Sequence, residues 1–349
     1  MVGRLGNDEQ FTVKQAAQNR SGNICRASAR YSVAPMMDWT DRHCRYFHRQ
    51  MSRQSLLFTE MVTAQAIIHG PRDRLLAHNA AEHPVALQLG GADPAHLAEA
   101  ARLAAPYGYD EINLNVGCPS DRVKSGCFGA VLMKSPDLVA ECVAAMIAAS
   151  SVEVTVKCRI GVDDQNPEEV LPAFLDKIAT AGVRRVTIHA RKAWLQGLSP
   201  KENREIPPLD YPLVLAMKRA FPHLHISING GVTNLVQAQS LLSQGLDGVM
   251  IGRAAYHEPW AVLAGADAAF FGGDAIPGPE EVVDRMRPYI EHHLSSGGRL
   301  HQITRHMLGL FHGRSGARNW RRILSERANA DGAGQEVLDA ALQQVVLAA

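Results

Sequence analysis

Short apolar runs alternate with amphipathic, alanine-rich stretches from Tyr31 onward, and this alternation constrains the fold more than any other feature of the sequence. Stretches with a helical period lie between most of the apolar runs, as at Pro94–Ala105, Pro136–Ala149, Pro167–Ala181 and Leu235–Gln244. Eight strands that alternate with helices predict a closed parallel (β/α)8 barrel, the α/β architecture called a TIM barrel, over residues 31–264. The predicted strands are Tyr31–Ala34, Leu56–Thr59, Val85–Leu89, Glu111–Asn115, Val154–Lys157, Arg185–His189, His225–Ile228 and Gly248–Ile251.

Polar or sulfur-containing side chains gather where each predicted strand stops. A barrel directs all of its strand ends into one cup at the carboxyl-end face, whereas an open sheet spreads them along an edge. We therefore expect a catalytic site in this cup. The residues concerned are Met36, Met37, Glu60, Gln88, Asn113, Asn115, Lys157, Arg159, His189, Arg191, Asn229 and Arg253.

The pattern changes after the eighth predicted strand. Residues 265–279 are rich in Gly, Ala and Pro and are expected to form a linker. Only helical patterns follow, so a small all-helical C-terminal domain is predicted for residues 280–349. Its predicted helices are Glu280–Leu294, Leu300–Phe311, Ala317–Ala328 and Gln335–Leu347.

Several classes of protein are disfavoured by composition. Residues 1–30 are polar and contain no signal-peptide-like apolar segment, so we expect a flexible N-terminal extension. Six cysteines without a C-x-x-C pair argue against a zinc site or a disulfide scaffold and favour a reducing compartment. No apolar run approaches the roughly 20 residues of a membrane span, so a cytoplasmic protein is expected. A net charge of +1 gives no overall attraction for polyanions, so any polyanion must be bound by a local basic patch.

One such patch is predicted in the helical region. Seven arginines and a single acidic residue, Glu326, lie between Arg299 and Arg327. A solvated helix face is the simpler interpretation of a charge run. The cluster contains no lysine, however, and the planar guanidinium suits phosphate better than an ammonium does. Trp320 lies among the arginines, where it is expected to stack on a base.

The segment Glu111–Pro119 places one cysteine in a constrained turn at a strand end. Apolar residues alternate with Asn113 and Asn115, and a glycine and a proline then bracket Cys118. A buried structural cysteine is the simpler interpretation of an isolated thiol, but the strand-end asparagines favour a site. The Cys118 thiol is either a nucleophile, which needs an activating base, or a proton donor, which needs only a protonated thiol near a developing carbanion.

Three further strand ends carry candidate groups. Lys157 is either an ion-pair partner, a Schiff-base nucleophile or a fixed positive charge for an anionic cofactor. His189 shares the cup with Lys157, which favours a functional role over that of a satisfied polar residue. Glycines end the last two strands, in Asn229-Gly230-Gly231 and Gly252-Arg253, where barrels commonly bind phosphate.

With these residues in place, the chain resembles the tRNA-dihydrouridine synthases over nearly all of the sequence from Ala34 to the C-terminal helices. The stretch Trp194–Leu209 further resembles the DusA subfamily, which acts on D-loop uridines 20 and 20a of tRNA. The motifs that carry the family resemblance are Ala34–Asp41, Asn113–Ser120, Lys157–Gly161, His189–Ala193, Asn229–Gly231 and Gly252-Arg253.

The resemblance implies a flavin-dependent oxidoreductase that reduces the C5=C6 bond of uridine in tRNA. Hydride passes from N5 of reduced FMN to C6, Cys118 gives a proton to C5, and NADPH reduces the flavin again. The implied FMN-binding residues are Pro35, Met36, Met37, Gln88, Lys157, His189, Asn229, Gly230, Gly231, Gly252 and Arg253. The implied uridine and tRNA contacts are Asn115, Arg191, Lys201, Asn203, Arg318 and Arg321.

The resemblance also explains the helical domain, which is expected to grip tRNA by shape and backbone. The target base lies in folded RNA and must be extruded to reach the barrel. No protein partner is implied, and a monomer is expected. Three rival hypotheses remain open: a flavin barrel acting on a small pyrimidine, a Schiff-base lyase that uses Lys157, and a non-catalytic RNA-binding protein on a barrel scaffold.

Overall fold

A computed structural model describes residues 26–120, 126–276 and 278–347, and within them eight parallel strands form a closed barrel in sequence order. The first and last strands close it, with Tyr31 opposite Val249 and Val33 opposite Ile251. The predicted barrel is therefore confirmed. The strands are β1 (Tyr31–Val33), β2 (Leu56–Thr63), β3 (Val85–Gly90), β4 (Glu111–Val116), β5 (Glu153–Arg159), β6 (Arg185–His189), β7 (His225–Asn229) and β8 (Gly248–Ile251).

Helices cover the outside of the barrel and form the C-terminal region. Those of the barrel are α1 (Arg42–Arg49), α2 (Ala64–His69), α3 (Arg72–Leu76), α4 (Pro94–Ala104), α5 (Pro136–Ala149), α6 (Pro167–Thr180), α7 (Tyr211–Ala220) and α8 (Leu235–Ser243). Those that follow β8 are α9 (Arg253–His257), α10 (Pro259–Leu263), α11 (Ala266–Phe271), α12 (Pro279–Ser295), α13 (Leu300–Thr304), α14 (Ala317–Arg327) and α15 (Gln335–Val346). Short 3-10 segments lie at Ala80–Glu82, Ala105–Tyr107, Gly129–Lys134 and Glu202–Arg204.

Local sequence determines where several barrel helices begin. The side chains of Asp93, Asn166 and Asp210 accept hydrogen bonds from backbone N–H groups in the first turns of α4, α6 and α7. Each of these helices also has a proline in its first turn, where the missing N–H costs nothing. Each preceding loop thus ends at a defined residue, and this fixes the length of the loops at the carboxyl-end face.

The interior of the barrel is divided into an apolar and a polar side. An apolar cluster fills the side formed by β1, β2, β3 and β8, and its buried members are Ala29, Ala34, Leu56, Phe58, Ala86 and Met250. The inward residues of β4 to β7 are mostly polar or charged and equally buried, and they include Glu111, Asn113, Thr155, Arg185, Thr187, His225 and Ser227. Buried polar groups require hydrogen-bond partners. The polar side therefore needs a continuous network, and such a network is present.

The prediction of a linker at residues 265–279 is wrong for the first half of that range, because α11 forms there and packs beneath the barrel. The ring of Phe270 stacks on Tyr31 with 4.5 Å between centroids. The buried carboxylate of Asp267 accepts hydrogen bonds from the Ser52 hydroxyl and from the backbone N–H of Arg53. The alanine and phenylalanine side chains of this segment bury apolar surface. A high content of Gly, Ala and Pro therefore does not distinguish this helix from a linker.

Two other boundaries differ from the sequence prediction. The predicted helix Leu300–Phe311 ends at Thr304, and turns follow it. Residues 1–25 of the predicted extension lie outside the described residues, whereas Ser28 and Ala29 are buried at the base of the barrel. Among the residues that the structure describes, no helix is long and apolar enough to cross a membrane.

The C-terminal helices pack against the loop between β1 and α1. Arg305 donates a hydrogen bond to the Asp41 carboxylate at 2.6 Å, and Nε2 of His306 lies 3.0 Å from the same carboxylate. Tyr289 of α12 stacks on Tyr46 of α1, with ring centroids 3.9 Å apart. The Asp41 carboxylate also caps α1, and these contacts lower its pKa despite the opposing effect of burial. The helical region is thereby fixed beside the barrel mouth.

Candidate active site

The register of the parallel strands brings the strand-end side chains to one end of the barrel. Asn115 of β4 lies opposite Lys157 of β5, and Arg159 lies opposite His189 of β6. His189 in turn lies opposite Asn229 of β7. Since inward residues alternate along every strand, these side chains form adjacent positions of one cup.

Cys118 occupies a turn that the Asn115 side chain holds. Asn115 Oδ1 accepts hydrogen bonds from the backbone N–H groups of Gly117 and Cys118, at 3.0 and 2.9 Å. The Cys118 thiol is half-buried, and its Sγ lies 3.4 Å from the Ser120 hydroxyl. The turn thus presents a partly accessible thiol at the carboxyl end of β4. Within the described residues, no group of His, Cys, Asp and Glu side chains is arranged to bind a metal.

Gln88 lies below this turn and is joined to it through side-chain amides. Its Oε1 accepts from Asn115 Nδ2 at 2.8 Å, and its Nε2 donates to Asn113 Oδ1 at 2.8 Å. Gln88 retains one N–H and one oxygen lone pair beyond these two bonds. The amide is therefore held in one orientation and keeps both a donor and an acceptor for a ligand.

Lys157 and His189 contribute the unusual electrostatics of the cup. Burial and the neighbouring Arg159 guanidinium lower the pKa of the Lys157 ammonium to about 8. Burial, with Arg159 and Lys157, holds the pKa of His189 well below its ordinary value, so its imidazole is neutral at physiological pH. His189 Nδ1 is buried without a hydrogen-bond partner among the described residues. A buried polar atom without a partner marks a position that a ligand can complete.

The glycines at the ends of β7 and β8 have different surroundings, crowded at β7 and open at β8. Gly230 and Gly231 have φ angles of +109° and +76°, which only glycine adopts without strain. A Cβ at Gly231 would lie 2.4 Å from Leu209 Cδ1 and 2.9 Å from the Tyr211 hydroxyl. A Cβ at Gly252 would meet no atom within 4 Å, so space opens there. Arg253 lies beside this space and is ion-paired with Glu205.

The loop after β1 forms the opposite rim. Pro35 and Met36 are partly buried, and Met37 is 51% exposed. The Thr40 hydroxyl accepts a hydrogen bond from the Met36 backbone N–H at 2.9 Å, which fixes this turn. The rim therefore offers backbone groups and thioether surface, with the exposed Asp38 next to Met37.

The long loop after β6 holds three of the predicted RNA contacts. Lys201 is exposed, and Arg191 donates to the backbone carbonyls of Glu205 and Pro207. Asn203 is fully buried, with Oδ1 accepting from Trp194 N and Nδ2 donating to Trp194 O. A direct contact of the Asn203 side chain with RNA does not fit this arrangement, because its amide is occupied in shaping the loop.

In the helical region, Arg318 and Arg321 are exposed on one face of α14, and neither makes an ion pair with another described residue. Trp320 points the other way. It is fully buried, its Nε1 donates to the Met307 carbonyl at 3.0 Å, and its ring packs edge-on against Phe311. The expectation that Trp320 stacks on a base is therefore wrong. Its indole packs inside the helical region because the amphipathic period of α14 turns this position inward.

Two arginines join the candidate site beyond the predicted cofactor and RNA contacts: Arg159, which the sequence placed at the cup without a role, and Arg204, which it did not indicate. Arg159 is buried, and its guanidinium donates to the backbone carbonyls of Gly117 and Asn203, at 3.1 and 3.0 Å. The Arg253 guanidinium donates to the Arg204 backbone carbonyl at 3.4 Å, and burial together with Arg253 lowers the pKa of Arg204. The signal for Arg159 was its position two residues after Lys157 on the same strand. Arg204 lies in a loop, where no strand or helix period indicates which side chains point toward the site.

Comparison with known proteins shows the family of the chain. A sequence model described as "Dihydrouridine synthase (Dus)" matches residues 32–346. The chain is 60% identical over 320 residues to the tRNA-dihydrouridine(20/20a) synthase of Vibrio cholerae, covering 91% of this chain and 97% of that protein. It is 58% identical over 328 residues to the protein of the same name from Shewanella oneidensis, covering 94% and 96% of the two chains. For the Escherichia coli K12 protein of that name, identity is 57% over 342 residues, covering 97% and 98%. The chain belongs to the dihydrouridine synthase family.

Proposed function

We propose that this protein is a tRNA-dihydrouridine synthase that reduces the C5=C6 bond of D-loop uridines 20 and 20a, with FMN as cofactor and NADPH as reductant. The observation that carries the proposal is the position of Cys118, a partly accessible thiol held by Asn115 at the mouth of a barrel. Family membership and the likeness to the named relatives support the same reaction and substrate.

The residues present fit a flavin mononucleotide. Gln88 has one donor and one acceptor left, Lys157 makes no hydrogen bond within the described residues, and His189 Nδ1 is buried without a partner there. A ring with carbonyl and imide edges satisfies such groups. Pro35, Met36 and Met37 would line one side of this ring. Backbone N–H groups of Gly230, Gly231 and Gly252, with the Asn229 and Arg253 side chains, would hold the phosphate.

When bound, the reduced flavin supplies the hydride that the uracil C6 atom receives. The protein's own chemical task is the proton at C5. Cys118 lies in a turn fixed by two backbone hydrogen bonds, so its thiol can protonate a carbon that approaches it. Asn115 holds the turn and lies beside the base. The Lys157 ammonium stabilises negative charge in the cup, and its lowered pKa reflects how little water screens it there.

We assign the barrel, residues 31–264, to catalysis and the helical region, residues 280–349, to tRNA binding. The target uridine must leave its stack to reach the cup, so the surrounding RNA has to be held by other surfaces. Phosphate contacts suit Arg191 and Lys201 beside the mouth, and also Arg318 and Arg321 on α14, which form no ion pair with another residue that the structure describes. Guanidinium groups without a carboxylate partner are the ones available to RNA.

The test is conversion of tRNA taken from cells that lack this enzyme. Purified protein, FMN and NADPH are incubated with that tRNA, and dihydrouridine is mapped by nuclease digestion and mass spectrometry. We expect new dihydrouridine at positions 20 and 20a. A yellow protein that oxidises NADPH without forming it would favour an enzyme acting on a small pyrimidine. A colourless protein that borohydride traps on a carbonyl compound would favour Schiff-base chemistry at Lys157.

A further inference from the structure

A chain of side-chain hydrogen bonds runs down the polar side of the barrel, from the Cys118 turn to the base of β4. Cys118 N–H donates to Asn115, Asn115 to Gln88, and Gln88 to Asn113, at 2.9, 2.8 and 2.8 Å. Asn113 Nδ2 then donates to the Thr155 hydroxyl at 2.8 Å. The Thr155 hydroxyl donates to Glu111 Oε1. Three adjacent strands contribute, and the register places Gln88, Asn113 and Thr155 side by side.

Every link of this chain points the same way, and both ends enforce that direction. At the base, burial raises the pKa of Glu111, but the Arg185 guanidinium at 2.6 Å opposes this shift, and a carboxylate held in that ion pair only accepts hydrogen bonds. Thr155 must therefore donate to it and accept from Asn113. At the top, two backbone N–H groups can only donate, so Asn115 must turn its oxygen toward them. If one of the amides between these two ends were turned over, its NH2 group would face another donor and its oxygen would face another acceptor.

We propose that Thr155, Asn113 and Glu111 form a positioning chain, which sets the orientation of the Gln88 and Asn115 amides and thereby fixes the Cys118 turn relative to the cofactor. This inference rests on the proposed function of the same site. Thr155 and Glu111 belong to the floor of the barrel and act through Asn113 and Gln88. They are positioning residues rather than catalytic ones.

The rest of the barrel interior shows that such a chain is not required for packing alone. The opposite side, formed by β1, β2, β3 and β8, is filled by apolar side chains such as Leu56, Phe58 and Met250. A hydrogen-bonded filling of an amide, a hydroxyl and a carboxylate, from Asn113, Thr155 and Glu111, is instead found directly beneath the two amides that face the cup. A buried network that is only partly satisfied is less stable than an apolar core, so its completeness is a demanding condition. Each member named here has its partner.

The decisive variant is Thr155→Val, which keeps the shape of the side chain and removes the hydroxyl. It leaves Asn113 Nδ2 without an acceptor, so Asn113 and then Gln88 are free to turn. We expect a fall in kcat for dihydrouridine formation of about 10-fold or more, with KM for tRNA nearly unchanged. The visible absorption spectrum of the bound flavin should shift, because Gln88 no longer presents a fixed donor and acceptor.

Two further variants separate orientation from packing. Thr155→Ser keeps the hydroxyl and should restore kcat and the flavin spectrum. Thr187→Val is the matched control, since Thr187 is buried on the neighbouring strand β6 and its hydroxyl makes no hydrogen bond with the described residues. It should behave as the wild type does. If Thr155→Val fails to fold, Thr155→Ala takes its place, as it removes the same hydroxyl without adding volume.

Several outcomes would overturn the positioning chain. One is a folded Thr155→Val protein with wild-type kcat and an unchanged flavin spectrum. Another is equal loss in Thr155→Ser, which would indicate packing rather than the hydroxyl. A wild-type protein that forms no dihydrouridine would instead refute the proposed function. In that case the flavin spectra of the same variants still test whether Thr155 orients Gln88.

Discussion

The Arg159 Nε donates a hydrogen bond of 3.1 Å to the carbonyl oxygen of Gly117, the residue immediately before Cys118. The same guanidinium donates to the carbonyls of Lys192 and Asn203 in the loop after β6, at 3.3 and 3.0 Å. One buried cation thus ties the turn that carries the candidate proton donor to the loop that carries candidate RNA contacts. These two segments lie far apart in sequence, and Arg159 lies between them on β5.

Arg159→Lys should lower the rate of dihydrouridine formation while the flavin stays bound. An ammonium is compact and cannot reach three carbonyls that the guanidinium fork spans. A misplaced turn of about 1 Å is expected to cost up to about 100-fold in kcat. Single-turnover kinetics with pre-reduced enzyme would measure it, with Arg102→Lys on the surface helix α4 as control. Wild-type kinetics in Arg159→Lys would contradict the role of this contact.

Cys118→Ala should retain flavin and still oxidise NADPH, because the Cys118 side chain is not among the groups proposed to hold the cofactor. Dihydrouridine formation should fall by about 100-fold or more, since general acid catalysis contributes roughly that much. The readouts are flavin absorbance, NADPH consumption and nucleoside mass spectrometry. Full turnover by the alanine variant would remove the proton-donor role. Ser120→Ala, which changes the neighbouring hydroxyl, provides the control.

Lys157 should make the stability of the flavin-free protein depend on pH between 8 and 10.5. Below this window the folded protein carries a partly buried, desolvated ammonium, which opposes folding. Within it the folded state has released a proton that the unfolded state still binds, so the free energy of unfolding rises with pH. The pKa shift corresponds to about 3 kcal/mol. Urea unfolding of wild type and Lys157→Met across this range measures it, and a pH-independent difference between the two would contradict it.

Replacing Arg318 and Arg321 together by glutamine should weaken tRNA binding and leave NADPH oxidation intact. Each lost phosphate contact should reduce the slope of log affinity against log salt concentration by about one. Arg184→Gln with Arg219→Gln is the matched control, because both arginines are exposed near the opposite end of the barrel. If the α14 double variant and this control bind tRNA with equal affinity, the α14 arginines form only a solvated helix face and do not contact tRNA.

Trp320→Ala should destabilise the protein by about 3 to 5 kcal/mol, the usual cost of removing a buried tryptophan. Trp320→Phe should cost less and should keep wild-type affinity for tRNA, since the indole contacts Met307 and Phe311 rather than solvent. Thermal unfolding and tRNA titration of both variants provide the comparison. A loss of affinity in Trp320→Phe without loss of stability would support base stacking after all.

The sequence alone determined the barrel and the place of its candidate site. The alternation of strand and helix periods is local, and each parallel strand directs its carboxyl end to the same face, so eight repeats suffice to predict where Cys118, Lys157, His189 and the paired glycines meet. The structure confirms the eight strands, most of them to within one or two residues. The motifs at these strand ends also carry the resemblance to the dihydrouridine synthase family.

The tertiary structure alone decided which polar groups act on one another. Trp320 and Asn203 are both buried, because burial depends on which face of a helix or loop meets a neighbour, and residue type does not reveal this. The first half of 265–279 became a helix because its apolar residues found the base of the barrel. The chain from Cys118 through Gln88 and Thr155 to Glu111 joins three strands by register. Long-range hydrogen bonds depend on distances that only the closed barrel sets.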